Sequence, residues 1–390
     1  MSKDVKKLPD EDKIRRAILE KIRRASTFDE DEIRFADEKM DKIDVISTGF
    51  AELDKILTPD LYEKSSQGGI PRGYVCEFFG PYAGGKSSLG LMLAATVTKA
   101  GGYVFWVDAE NSFVDDWAKK HGVDTSHVVK AEQGKGRSGE DFLTELDAMC
   151  QTGVFSLAVV DSVAGLAPKA ILEAELAAEA RVGAQARMLS RALPKLIGSA
   201  KQGNTAVIFI NQIRMKIGVM YGNPETTPGG EALKFFSSLR VRLSQVGSRK
   251  DRGIVKEGEE IGIRSNIQVV KSRFGPPFRE IVLPIYFTAD RPKPIELLLD
   301  MALTSKVIRC RTKKRGEDSV QSFSLEGFDK LSGVEGLDDF KEKLDVLAIR
   351  EIAKRLEDMK IALMPDVRGF VEGLSADDPL GDHVRNDKTA

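Results

Sequence analysis

Val75-Cys-Glu-Phe-Phe79 runs directly into Gly80-Pro-Tyr-Ala-Gly-Gly-Lys-Ser87. An apolar run of strand length passes into the pattern GxxxxGK[ST], and Ser88 to Val97 continues as a helix-like stretch. Strand, glycine-rich loop and helix in that order form a phosphate-binding loop. The glycines let backbone N–H groups curl around phosphate oxygens, and the helix N-terminus adds the positive end of its dipole. The candidate nucleotide-binding residues are Gly80, Pro81, Tyr82, Ala83, Gly84, Gly85, Lys86, Ser87 and Ser88. Lys86 is placed to reach the β/γ-phosphates and Ser87 to ligate Mg²⁺. This is a nucleoside-triphosphate site.

Outward from the loop, apolar runs keep ending in polar side chains. Val107-Asp-Ala-Glu110 ends one, Val159-Val-Asp161-Ser162 the next and Ile208-Phe-Ile-Asn-Gln212 a third. In an open α/β sheet such strand ends share the edge that faces the phosphates. Glu110 then orients or deprotonates the attacking water, Asp161 holds Mg²⁺ through water, and Gln212 senses the γ-phosphate. The plainer reading of Glu110 is a surface carboxylate after a strand. Val75-Phe79, Val104-Asp108, Leu157-Asp161 and Ala206-Asn211 read as near-continuous apolar strands separated by helical stretches, which predicts an α/β fold with a mostly parallel sheet buried on both faces. Leu239-Leu243, Ile267-Lys271 and Ile281-Phe287 extend it, the last two joined by Gly275-Pro276-Pro277 as an antiparallel hairpin.

The remaining bounds come from composition. The chain has 390 residues, 42% hydrophobic and 31% charged, room for two or three domains. A formal net charge of -1 supplies no global field for a polyanion, so nucleic-acid contact requires local basic patches. Three scattered cysteines and three histidines argue against a disulfide scaffold or a His/Cys metal centre. The polar start and the lack of any long apolar run predict a cytoplasmic protein with no membrane contact. The expected divisions are a charge-dense N-terminal arm over 1–45, a nucleotide-binding core over 46–292, a small α-rich domain over 293–374 and a flexible tail over 375–390. In the arm, Lys13 to Arg24 carries an apolar stripe at helical spacing through Ile14, Ala17, Ile18 and Ile22. It must dock on its own domain or on a neighbouring subunit.

After Gln212 comes Ile213-Arg-Met-Lys-Ile-Gly-Val-Met-Tyr-Gly-Asn-Pro-Glu-Thr-Thr-Pro-Gly-Gly230. Two cations, several apolar side chains and paired glycines on an irregular segment suit a nucleic-acid backbone, with apolar groups wedging between bases.

Together with Ile46-Ser-Thr-Gly49, Ala232-Leu-Lys-Phe235 and Val269-Val-Lys-Ser-Arg273, these segments resemble the bacterial RecA family of ATP-dependent homologous-recombination proteins, with phage recombinases as relatives. The resemblance covers roughly residues 45 to 290. It implies a RecA-like core that uses ATP and Mg²⁺, and a helical homo-oligomer on single-stranded DNA that takes up homologous duplex DNA. Single-strand-binding and mediator proteins are the further partners it suggests. It makes Lys271 and Arg273 cations supplied to the neighbouring subunit's γ-phosphate, and Trp117 the ring that stacks on adenine. Arg214, Met215, Lys216, Ile217, Gly218, Tyr221, Gly229 and Gly230 fall in the main DNA loop, Glu173 to Arg181 in a smaller one, and Arg187 and Ser190 on the following helix. Glu225 would relay between DNA and Gln212.

Departures mark a divergent member, of phage type. Val114 stands where the family has a carboxylate, Trp117 where it usually has Tyr, and Pro194 at a basic position for which Arg191, one turn after Arg187, can substitute. The stretch from Leu57 to Gln67 reads as an insertion. Six cations in the ten residues Lys306 to Arg315 either gather duplex DNA or form a solvated charge run. The function expected is a single-stranded-DNA-dependent ATPase that performs pairing and strand exchange. The alternatives are a ring-forming motor on the same core, or a filament that mainly serves as a scaffold for repressor self-cleavage.

Overall fold

The computed structural model describes residues 11–25, 43–65, 67–134, 136–173, 183–215, 225–247, 253–256, 259–287, 294–315, 318–359, 363 and 365–374. Two units divide the chain, Met1–Ile43 and Asp44–Ala390. The described part of the first is helix α1, Glu11–Ala25, whose Ile14, Ile18 and Ile22 are exposed along one stripe.

The second unit is built on a nine-stranded sheet. Its strands are β1 (Val75–Gly80), β2 (Tyr103–Asp108), β3 (Val128–Glu132), β4 (Phe155–Asp161), β5 (Ala206–Gln212), β6 (Leu239–Gln245), β7 (Gly253–Lys256), β8 (Glu259–Ser272) and β9 (Glu280–Tyr286). They lie in the order β7-β8-β6-β1-β5-β4-β2-β3, with β9 also on β8. The six strands from β6 to β3 are mutually parallel; β8 is antiparallel to β6, β7 and β9. The expected mostly parallel α/β sheet and its antiparallel hairpin are both present. Alternate residues of the central strands enter two separate cores: Val104 and Trp106, Leu157 and Val159, Ile208 and Ile210 on one face, and Phe105 and Val107, Ala158 and Val160, Val207 and Phe209 on the other. Burial on both faces is why these strands read as continuous apolar runs.

Helices α2 (Lys86–Lys99), α3 (Asp115–Lys120), α4 (Gly139–Gln151), α5 (Ala184–Gln202) and α6 (Ala232–Phe236) connect the strands. Two strands were not legible. β3, VVKAE, is a mostly solvent-facing edge strand with one buried residue, and β7 is a four-residue edge piece, so neither carries an apolar run. The stretch expected to be an insertion, Leu57 to Gln67, contains a second short helix, Pro59–Ser65, after Ala51–Leu57. Asp54 anchors the first by accepting from the Thr48 N–H at 2.8 Å and the Thr48 hydroxyl at 2.6 Å, which accounts for Ser47-Thr48 in the sequence.

The segment expected to be α-rich contains α7 (Pro294–Thr304), α8 (Val346–Asp358) and α9 (Pro365–Gly373). It adds a three-stranded antiparallel sheet, Ile308–Arg315, Asp318–Leu325 and Val334–Glu335. The basic cluster lies on the first of these strands, where Arg309 pairs with Glu326 at 2.8 Å. The tail over 375–390 and the boundary at 292/293 lie outside the described residues. Among the described residues no helix is long and apolar enough to cross a membrane.

Candidate functional site

Parallel pairing brings the C-terminal ends of β1, β2, β4 and β5 to one edge. Gly80 is level with Gln212, and Asp108 with Asp161. β1 sits beside β5 while the chain leaves it through α2 to reach β2, so the edge opens where the strand order switches.

The phosphate loop is tightly seated. A Cβ at Gly80 would lie 1.9 Å from the Leu243 carbonyl, and Gly85, with φ 85°, would place one 2.5 Å from Ile285. Only glycine satisfies both the approach and the left-handed backbone. Side chains from β6 and β8 hold the loop's outward carbonyls. Gln245 donates to Tyr82 and Ala83 at 3.3 Å each, and Ser265 to Gly84 at 2.7 Å. Sequence reading missed Gln245 and Ser265, because a polar residue on an extension strand signals nothing until the loop is folded against it.

Lys86 is buried and donates to the carbonyls of Gly80 at 3.2 Å and Pro81 at 2.7 Å. Burial lowers its pKa, while the charges of Asp161 and Glu110 oppose that shift. Burial pushes Asp161 up to about 6; a hydrogen bond from Ser87 and the charge of Lys86 work against the rise, and Glu110 and Asp108 add to it. Lys86, Ser87, Asp161 and Glu110 therefore form one electrostatic group. Ser87 and Asp161 offer the hard oxygen donors that suit Mg²⁺ beside phosphate.

Glu110 follows Asp108, whose carboxylate caps the turn by accepting the N–H groups of Ser112 and Phe113 at 2.9 Å each. The Ser162 hydroxyl and, at 3.3 Å, the Gln212 amide both donate to Glu110 Oε1. Ser162 is a neighbour of Glu110 that the sequence marked only as the residue after Asp161. Gln212 is next to Asn211, whose Oδ1 accepts its N–H at 3.0 Å.

Trp117 on α3 lies 5.8 Å from the ring of Phe287, two residues beyond the Ile285 that packs on Gly85. Phe287, unforeseen, adds a second ring next to Trp117.

The ends of the segment expected to bind DNA pair as a small ladder, Arg214–Met215 with Glu225–Thr226. Arg214 and Met215 are exposed, and Glu225 is held by Arg242 at 2.9 Å. Lys216, Ile217, Gly218 and Tyr221 lie outside the described residues, as does 174–182 of the smaller loop. Gly229 and Gly230 have φ 87° and 72°, and a Cβ there would meet Leu189 at 2.4 Å and Ala186 at 2.7 Å. The glycine pair is thus seated on α5, beside its exposed Arg187, Ser190 and Arg191.

Lys271 and Arg273 are not at this edge. Lys271 pairs with Arg240, which pairs with Glu77, three residues before Gly80 and about 10 Å down the strand. Its ammonium donates to the Lys234 and Phe235 carbonyls at 2.8 Å each. Burial and the like charges of Arg273 and Arg240 lower its pKa.

The family described as the RecA N-terminal domain matches residues 13–290. Protein RecA of Thermus aquaticus is 44% identical over 268 residues, 68% of this chain and 74% of that protein. The Syntrophus aciditrophicus (strain SB) protein is 41% identical over 274 residues, 70% and 74% of the two chains. That of Acinetobacter baylyi is 39% identical over 278 residues, 71% and 74%. A crystal structure of the RadB recombinase aligns with a TM-score of 0.46 at 22% identity, covering 62% of this chain and 97% of that one. A family match over 13–290, which spans every strand that feeds the phosphate edge, together with identity of this extent, shows that the chain belongs to the RecA family and is a recombination protein.

Proposed function

We propose that this chain is an ATP-dependent recombinase that polymerises on single-stranded DNA and carries out homologous pairing and strand exchange. The observation that carries the reading is the meeting, at one sheet edge, of the phosphate loop, Glu110, Asp161 and Gln212 with the root of the 214–226 ladder.

The loop from Gly80 to Ser88 would hold the triphosphate, with Trp117 and Phe287 against the base. Lys86 would exchange its two carbonyl partners for phosphate oxygens, which restores the charge that burial disfavours. Ser87 and Asp161 would hold Mg²⁺, which neutralises charge on the β/γ-phosphates when bound. Both donors to Glu110 use Oε1, so Oε2 is the oxygen placed to accept a proton from the attacking water. Gln212, already bonded to Glu110, would respond to the γ-phosphate and pass its state to the strand that enters the DNA loop.

Lys271 and Arg273 belong to a second role. β8 runs antiparallel to β1 through β6, so its C-terminal end points away from the chain's own phosphate loop. Cations there serve a neighbouring subunit's nucleotide, in the manner of an arginine finger.

Negative-stain imaging with single-stranded DNA and a slowly hydrolysed ATP analogue tests the reading. Helical filaments that require both nucleotide and DNA are expected. Closed rings, or no assembly on DNA, would overturn it in favour of a motor.

A further inference from the structure

Glu77 lies within β1, in a run otherwise made of Val, Cys and Phe, and has no exposed surface. A buried carboxylate is tolerated only when its oxygens are bonded. Oε1 accepts from Asn211 Nδ2 at 2.9 Å, and Oε2 from Arg240 Nε at 2.5 Å. Asn211 makes two further bonds: Nδ2 donates to the Pro228 carbonyl at 3.0 Å, and Oδ1 accepts the Gln212 N–H at 3.0 Å. Gln212 in turn bonds Glu110.

An asparagine amide has a donor end and an acceptor end of nearly the same shape. Glu77 and the Pro228 carbonyl both require the donor end, which turns Oδ1 toward Gln212. A displacement of the chain at Pro228, where the DNA loop returns to the core, must therefore move Asn211 or break its bonds. Arg240, the other partner of Glu77, stands opposite Lys271 in the β6–β8 ladder.

We propose that Glu77 is a positioning residue that couples DNA binding to ATP hydrolysis: it sets the orientation of Asn211, which joins the root of the DNA loop to Gln212. The proposal rests on the roles of Gln212 and the 214–230 loop given above.

The test measures ATP hydrolysis with and without single-stranded DNA, and binding of a fluorescent ATP analogue, for the wild type, Glu77→Gln, Asn211→Ala and the double variant. Each single variant should lose roughly tenfold of the DNA stimulation, with analogue affinity and DNA-free rate within about twofold of wild type. The double variant should lose no more than either single one, because the two residues act as a unit. Additive losses, parallel falls in analogue affinity and both rates, or unchanged stimulation would overturn the proposal. If Glu77→Gln does not fold, Asn211→Ala, which keeps the Glu77–Arg240 pair, decides alone: full stimulation refutes it. A wild type whose hydrolysis ignores DNA refutes the functional reading, and the proposal falls with it.

Discussion

Glu110 shows how little of a side chain's setting lies in the residue itself. It follows a strand end, which any reader of the sequence can see, but its orientation comes from Ser162 and Gln212, 52 and 102 residues away in the chain. Both donors bond Oε1 of this exposed side chain, which leaves Oε2 for the proton that a water-activating carboxylate must accept. Glu110→Gln removes the base and keeps the shape. Steady-state hydrolysis should fall by about 10²- to 10⁴-fold while filaments on single-stranded DNA persist. Filament loss in that variant would make Glu110 an assembly residue. Trp117 follows the same lesson in an apolar setting, since the sequence supplied one ring and packing supplied Phe287 beside it.

Helix α5 joins the two halves of the expected DNA surface at the scale of an element. Its buried face, Met188, Leu189, Leu193 and Leu196, enters the core, which leaves Arg187, Ser190 and Arg191 outward. The same helix receives Gly229 and Gly230, where any side chain would meet Ala186 or Leu189. Its first turn is tied back toward the strand that carries Asp161, because Gln185 donates to the carbonyls of Val163 at 2.7 Å and Leu166 at 3.1 Å. One helix thus carries the basic row and the end of the expected DNA loop. Arg187→Ala and Arg191→Ala should each weaken single-stranded-DNA binding and flatten the slope of log K against log salt by about 0.7 per phosphate contact removed. Anisotropy titrations across a salt series would show this; unchanged slopes would remove α5 from the DNA surface. Seating glycines on a helix has no local signature, so the sequence could suggest both parts but not their contact.

For the whole molecule, the sheet separates two functions by direction. The parallel strands deliver Lys86, Glu110, Asp161 and Gln212 to one edge, and the antiparallel β8 carries Lys271 and Arg273 toward the other. If each site takes its phosphate loop from one subunit and its Lys271 from the next, two inactive variants should complement. A mixture of Glu110→Gln and Lys271→Ala subunits would place an intact Glu110 beside an intact Lys271 at about a quarter of randomly formed junctions, and hydrolysis should recover in that proportion. No recovery on mixing would assign Lys271 to its own subunit. What the sequence alone determined is everything encoded by short-range pattern: the phosphate loop, the apolar strands buried on both faces and their polar last residues. Periodicity and backbone chemistry act over a few residues, and Gly80, Lys86 and Asp161 needed nothing more. Only the tertiary structure decided the strand order, the edge strands β3 and β7, the three-stranded sheet that holds the basic cluster, and the bonds of Glu77, Ser162, Gln245 and Ser265. Those depend on register between segments far apart in the chain, and register is set by packing of the whole core.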